Sequence, residues 1–464
     1  MAESQLLPEE PGERQGDELF ALTPEVVREV AYALESGRPE IAEQLIEPLH
    51  ASDIASLVEQ LPADQREPLM AELDPEVAGD VLAEIEEAVR DDLLENMAPA
   101  QVAEAVATLD SDDAVYVLED LKPSIQREVL EELATPEALG LADALAFPED
   151  SAGRMMQRQL IAVPGFWTVG QVIDYMREAA DLPEEFHQIF VIDTAFHPVG
   201  GVHLHRLLKT KRPVAISEIM EEEPTLIHTH TDQEHVGLAF RQYDLMTAGV
   251  IDDEGRLVGC ITVDDIVEVV EEEVEEDVLR LAGVGDEAVS DDVFDAVRSR
   301  FVWLTVNLGT AILASAVIAL FEATISEVVA LAVLMPIVAS MGGNAGTQTL
   351  TVAVRALATR DLTTANALRI VYKEVLVGGI NGVAFAIMMG LIAGLWFSDP
   401  TLGGVIAAAM VINMLVAGLS GILVPMGLNA VKVDPAIASS VFVTTVTDVV
   451  GFFAFLGLAA VFLL

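Results

Sequence analysis

The sequence predicts a multidomain membrane protein. Its parts are an all-α superhelical N-terminal domain, an α/β domain made of a tandem repeat, a long acidic connecting helix and a five-span α-helical transmembrane domain. Three observations carry this. The chain has 464 residues, too many for one core, since a domain takes roughly 100–200. It carries a net charge of −52 and yet is 52% hydrophobic. The two properties separate along the chain: residues 1–300 hold 69 acidic and 19 basic residues, and residues 301–464 hold only 7 and 5.

Residues 1–19 read as a disordered acidic tail without the apolar core of a signal peptide. Residues 20–147 read as helix with an internal period: Leu61, Leu73, Ile85, Met97, Leu109, Leu121 and Leu133 are spaced by 12. Prolines at 62, 75, 99, 123 and 136 follow most of them, as if closing each short helix. Helix pairs of about 24 residues, stacked side by side, make a small α-solenoid. Residues 148–263 contain a second repeat. Val191-Ile192-Asp193 with Val199-Gly200-Gly201-Val202 matches Val250-Ile251-Asp252 with Val258-Gly259-Cys260-Ile261 at an offset of 59. Each copy reads as helix, strand, turn, strand, helix.

Residues 264–300 form the connecting segment. Nine acids lie between Asp264 and Asp277, and the one base before Leu281 is Arg280. Val267, Val270, Val274, Val278 and Leu281 step by 3 and 4, which predicts the apolar face of an amphipathic helix. A charge run is ordinarily a solvated face. At this density it should repel itself unless divalent cations bridge it to other carboxylates. From 301 to 464, five apolar stretches (about 302–321, 328–354, 375–397, 402–428 and 437–464) each meet the ~20 residues needed to cross a bilayer. Arg298, Arg300, Arg355, Arg360, Arg369, Lys373 and Lys432 occupy alternate connections, which places the N-terminal half in the cytosol and the C-terminus outside.

Polar residues inside these spans are the candidate functional groups. Asn344, Thr347, Gln348 and Thr351 share one helical face of the second span, after Pro336. Thr444, Thr447 and Asp448 share a face of the fifth. Asp448 lies about 16 Å along a helix from Ile437, near the midplane of a ~30 Å hydrocarbon layer. A carboxylate there is costly and ordinarily lines a pathway. The alternative is a protonated or ion-paired structural group, but no span carries Arg or Lys in its middle. An acidic, base-free path selects cations. Amide, hydroxyl and carboxylate oxygens suit magnesium, which keeps much of its hydration shell. One carboxylate per chain implies a symmetric dimer in which two face each other.

The acidity excludes nucleic-acid binding, which needs a basic footprint. A single cysteine, Cys260, excludes a disulfide framework. No nucleophile–base constellation or phosphate loop is present, so no enzymatic activity is expected. His228, His230 and His235 could form a transition-metal site, or be ordinary polar positions on strands and turns. Few lysines and dense surface carboxylate also suit a high-salt environment.

The 155–270 repeat resembles a tandem CBS pair. Its second copy carries Thr262-Val263-Asp264-Asp265, similar to the Thr-x-x-Asp that holds adenosine ribose in some CBS modules. ATP is therefore a possible ligand of Thr262 and Asp265. The order of domains resembles the MgtE magnesium channels over nearly the whole chain. The most specific motifs are Gly342-Gly343-Asn344-Ala345-Gly346-x-Gln348, Arg355 to Asp361, Asp434-Pro435, Thr444 to Asp448, and Pro148 to Met156. The resemblance implies a homodimer in the cell membrane, a pore lined by the second and fifth spans, and magnesium bound at Asp448. It also implies closure by cytosolic magnesium. The acidic residues involved are Asp112 on the helical domain, Asp232, Glu234, Asp244, Asp265 and Glu268 on the second CBS repeat and its exit, Glu273, Glu276 and Asp277 on the connecting "plug" helix, and Asp434 beneath the pore. Two departures stand out: Arg241 lies close to the Glu234 and Asp244 pair, and Thr347 stands where an Asn often follows Gly346. Competing readings are a broader manganese, cobalt or nickel pathway, a cation–proton exchanger using Asp448, and a membrane magnesium sensor that conducts nothing.

Overall fold

The computed structural model describes residues 22–464 apart from 120, 180, 181, 184, 185, 285–292 and 364. The 1–19 stretch expected to be disordered lies outside the described residues. The chain forms two compact units, Met1–Val270 and Glu271–Leu464.

The first unit begins with ten short helices, from α1 (Pro24–Glu35) to α10 (Thr135–Ala144). Alternate helices stack: α3 (Ala51–Gln60) on α5 (Pro75–Glu84), α5 on α7 (Pro99–Val106), and α7 on α9 (Pro123–Glu132). The prolines start helices rather than close them. Pro75, Pro99 and Pro123 are the first residues of α5, α7 and α9. There the missing N–H costs no hydrogen bond and the fixed φ favours the helical turn. The 12-residue hydrophobic series occupies the turns. Leu61, Ile85 and Leu133 follow the ends of α3, α5 and α9 in extended backbone. Leu61, Ile85 and Leu121 are buried in the core shared by the stack. Each such side chain contributes about 1.5–3 kcal/mol on burial, which ties every helix pair to the next.

Two small sheets follow. The first has strands β1 (Ala162–Pro164), β2 (Gln188–Ile192), β3 (Pro198–His203) and β4 (Glu221–Glu222) in that order, with α11 (Val169–Glu178) between β1 and β2 and α12 (Leu204–Lys209) after β3. The second has β5 (Leu226–His228), β6 (Thr247–Ile251) and β7 (Leu257–Thr262), with α13 (Gln233–Tyr243) preceding β6. The internal repeat is visible in the register. Ile189 pairs with Val202 and Ala248 with Ile261, and both hairpins shift register at the same place, Val191/Ile192 and Val250/Ile251.

Helix α14 (Val263–Ala282) leaves β7 directly, and the boundary between the units falls within it. Its apolar face is not the buried one. Val267, Val270, Val274 and Val278 are exposed in the single chain, while Ile266 and Val269 are buried. The repeat core takes only the first two turns of the helix, so the valine stripe is left uncovered.

The second unit holds α15 (Val293–Ala319), the short α16 (Glu322–Glu327), α17 (Ala330–Ala358), α18 (Ala367–Trp396), α19 (Pro400–Ala430) and α20 (Pro435–Phe462). Five of these helices are long and apolar enough to cross a membrane. Helix α18 starts before the expected residue 375, which brings Glu374 into the helix. Helix α19 is central, touching α17, α18 and α20. The α18–α19 contact is backbone to backbone. A Cβ on Gly378 would stand 2.6 Å from the Met414 carbonyl oxygen, and one on Gly418 would stand 2.8 Å from that of Glu374. Glycine at both positions permits this close approach, as in membrane helix pairs generally.

Candidate cation pathway and carboxylate clusters

Helices α17 and α20 lie against one another through glycines. A Cβ on Gly346 would meet Val443, and one on Gly343 would lie 3.9 Å from Thr444 Cγ2. This sets the two polar faces side by side. Asn344, Thr347 and Gln348 are exposed in the single chain, and Thr444 and Asp448 are partly buried. Thr347 therefore lies on the open face. The Thr444 hydroxyl donates to the Ser440 carbonyl at 2.9 Å, leaving its oxygen able to accept or to face a hydrated cation. Thr447 differs from the expected arrangement. It is 0% exposed, it sits against Gly346, and its hydroxyl donates to the Thr444 carbonyl. It belongs to the α17–α20 contact, because the glycine admits it there, and not to the open face.

Asn413 of α19 is 1% exposed. Its amide lies against Gly342 of α17 and Gly451 of α20, and its Nδ2 donates to the Val338 carbonyl at 2.8 Å. Its Oδ1 is buried without a hydrogen-bond partner among the described residues. Glu374 is likewise buried, with the Thr349 hydroxyl 3.5 Å away and Lys373 Nζ at 3.4 Å. Sequence reading passed over Glu374, which stands one residue before the apolar run used to place that span.

In the first unit, Asp112 and Asp113 lie in the first turn of α8 (Ser111–Leu118), and Asp264 and Asp265 in the first turn of α14. The fold brings these turns together. Gln157 Nε2 donates to Asp110 Oδ2 at 2.5 Å, the Arg158 N–H donates to Ser111 Oγ at 2.7 Å, and Arg154 pairs with Glu119 at 3.4 Å. Burial, then the Asp265 charge, pushes Asp112 well above the usual carboxylate range. Burial and Asp265 push Asp113 up to about 7. Asp265 is raised to about 6 by burial, against the lowering effect of two hydrogen bonds from Thr262. Asp112 Oδ1 is buried with no hydrogen-bond partner among the described residues. Carboxyl oxygens crowded in this way, one of them orphaned, fit a hard divalent cation such as magnesium, which would take the place of the protons. Asp110 and Asp113 join the set without having been singled out in the sequence. The run Asp110-Ser111-Asp112-Asp113 was the available signal. Burial raises the Cys260 thiol to about 12, which makes it inert.

The other candidates of the first unit are dispersed. Asp232 caps α13, accepting from the Glu234 N–H at 3.1 Å, and Asp232, Glu234 and His235 can offer ligand atoms within 4.8 Å of one another. His235 thus sits with carboxylates rather than with His228 and His230. Asp244 ends the same helix in a left-handed conformation, φ 52°. At 1.5 Å per residue it lies roughly 15 Å along the helix from Glu234, so Glu234 and Asp244 stand at opposite ends of α13. The Thr262 hydroxyl donates to Asp265 Oδ2 at 2.8 Å. The cleft that Thr262 lines with Gln188, Phe190 and Thr247 has about 10 Å³ of free space, room for about one water.

At the foot of α20, Asp434 is the helix cap, its Oδ1 accepting from the Ala436 N–H at 2.8 Å. Its Oδ2 is 2.7 Å from Arg280 Nη1, and Arg280 also pairs with Glu276 one turn earlier on α14. Burial, then the Asp434 charge, raises Asp277. Asp448 lies about 21 Å further along α20.

Five bilayer-length helices, two of them a polar pair carrying a carboxylate, make a multi-pass membrane domain, and the sequence comparisons place it among cation transporters. Residues 335–458 match the family model described as a divalent cation transporter, residues 49–150 that of the MgtE intracellular N domain, and residues 216–272 that of the CBS domain. The magnesium transporter MgtE of Thermus thermophilus is 32% identical over 455 residues, covering 93% of this chain and 97% of that protein. The MgtE of Enterococcus faecalis is 33% identical over 327 residues, covering 70% and 72%. The crystal structure of the cytosolic domain of the Mg2+ channel MgtE in complex with ATP matches at 27% identity with a TM-score of 0.49, covering 52% of this chain and 99% of that one. The chain belongs to the MgtE family of magnesium transporters.

Proposed function

We propose that the protein is a magnesium-selective channel that admits Mg2+ down the membrane potential and closes when cytosolic magnesium is high. Asp448 carries the reading. It is a half-buried carboxylate on α20, next to the polar face of α17, in a domain whose spans have no base in their middle. Asp448 offers charge to the hydrated ion, while Asn344, Thr347, Gln348 and Thr444 offer amide and hydroxyl groups to its water shell. A divalent ion gains about 4.6 kcal/mol per 100 mV of potential, so influx needs no second energy source. A homodimer is proposed because one carboxylate per chain is sparse for a pore. The exposed valines of α14 supply an apolar stripe for a second copy. The basic residues of alternate connections support a cytosolic N-terminal unit and an outward C-terminus.

For regulation, Asp112 and Asp265 in the first unit, and Asp277 and Asp434 in the second, are the pairs proposed to hold magnesium. Asp232, Glu234, Asp244, Glu268, Glu273 and Glu276 complete the set that the family resemblance implies. Bound there, magnesium supplies charge neutralisation that lets these carboxylates approach. An ATP site at Thr262 and Asp265 requires the narrow cleft beside Thr262 to open, and the Thr262–Asp265 hydrogen bond to yield to the ribose.

Patch-clamp current measured against internal magnesium tests the reading. The parent protein is expected to close as internal magnesium rises, and Asp448→Ala to pass no magnesium current. Normal magnesium current through Asp448→Ala would remove the pore assignment.

A further inference from the structure

We infer that Arg280 is a tethered counter-cation for the carboxylates at the pore mouth, holding the end of α14 against α20 when no metal is bound there. This rests on the channel reading and adds to it a closing contact that magnesium does not make. Arg280 is the one base of α14, three residues beyond the nine acids that run from Asp264 to Asp277. It is not a solvated surface charge. Its guanidinium reaches Asp434 Oδ2 at 2.7 Å and also pairs with Glu276, and all three side chains are only about 30% exposed. Asp434 is fixed from both sides, since its other oxygen caps α20. A planar guanidinium spanning two carboxylates holds geometry better than an ammonium point charge.

A second, apolar contact lies next to it. Leu281 packs against Leu350 and Val354 of α17 and Ala436 of α20. The tip of α14 is therefore seated by one ion-pair network and one small apolar cluster, both at the cytosolic end of the pathway helices. The charge balance then assigns roles. Glu276, Asp277 and Asp434 carry three negative charges and Arg280 returns one, leaving the charge that one divalent cation neutralises. Arg280 supplies the part of the attraction that is always present, and the remaining part waits for magnesium. The mouth is thereby biased towards closure at zero magnesium, and magnesium completes the closure.

Two measurements on the full-length protein test this. In bilayers with EDTA on the cytosolic side, Arg280→Gln is expected to raise open probability about fivefold, the scale of one partly buried ion pair. Arg280→Lys should recover most of the difference, and saturating internal magnesium should still close all three proteins. An unchanged or lower open probability for Arg280→Gln in EDTA overturns the inference. The second readout does not depend on conduction. Spin labels at the exposed Val278 and Val433 are expected to give one short distance in the parent and a longer, broader distribution in Arg280→Gln, both in EDTA. Identical distributions overturn the role of Arg280. A parent protein that magnesium fails to close overturns the channel reading instead, and the spin-label result still decides the contact.

Discussion

Asn413 is a buried amide in a helix rich in Ala, Met, Val and Leu, and it makes one hydrogen bond where it could make several. Leaving an acceptor buried and unpaired costs about 1–3 kcal/mol, while a made hydrogen bond returns about 1. The side chain is therefore held for its volume and position between Gly342 and Gly451, not for its polarity. Asn413→Leu, which keeps the branched shape and removes the orphan, is expected to leave the thermal midpoint of the purified protein unchanged or higher. Asn413→Ala opens a void between three helices and is expected to lower it. The reverse order, Leu below Ala, would show that the single bond to Val338 is what matters. A lone Asn in an apolar run is an ordinary packing residue between membrane helices. Nothing along the chain marks Asn413 as filling the gap between α17 and α20, because its partners are glycines 71 and 38 residues away.

At the scale of elements, the first turns of α8 and α14 bring like charges together, and pH reports on that meeting. Asp113 and Asp265 keep protons up to about 7 and about 6 in the folded chain, against 3.8 for an unperturbed carboxyl. Between these values the folded chain binds more protons than the unfolded one, so this contribution is present below the unfolded value and is lost as pH rises through the folded ones. In EDTA, the thermal midpoint is expected to fall between about pH 5 and about pH 7.5. Magnesium should flatten that fall, because carboxylates neutralised by a cation no longer need the proton. Asp113→Asn should remove part of the slope in EDTA. A slope unaffected by both magnesium and Asp113→Asn would mean the cluster does not dominate it. The sequence showed both acidic turns but could not pair them, since they lie about 150 residues apart and only the packing of the helical repeat on the CBS repeat joins them.

For the whole molecule, the charge of −52 exceeds what metal binding can use. The proposed sites draw on about a dozen carboxylates, and the rest repel one another along residues 1–300, where most of the acids lie. Screening shortens that repulsion from about 10 Å at 0.1 M salt to about 3 Å at 1 M. Raising KCl over that range without magnesium is therefore expected to raise the thermal midpoint of the full chain. A midpoint indifferent to KCl would assign the surplus acidity some role other than salt adaptation.

The sequence by itself determined the kinds of element and their order. Hydrophobic periods of 12 residues, a 59-residue repeat and five apolar runs are local patterns, and local patterns fix helix, strand and span. It also determined which helices carry polar faces, since Asn344, Gln348, Thr444 and Asp448 recur at helical spacing. Tertiary structure alone decided which of those residues meet. It set Thr447 into the α17–α20 contact, left the valine stripe of α14 uncovered, and separated Glu234 from Asp244 by the length of α13. It also placed Arg280, the lone base of an acidic helix, on Asp434, a residue 154 positions away. Contacts of that range depend on how closely two backbones approach, which is decided by glycines and by the shapes around them rather than by any pattern along the chain.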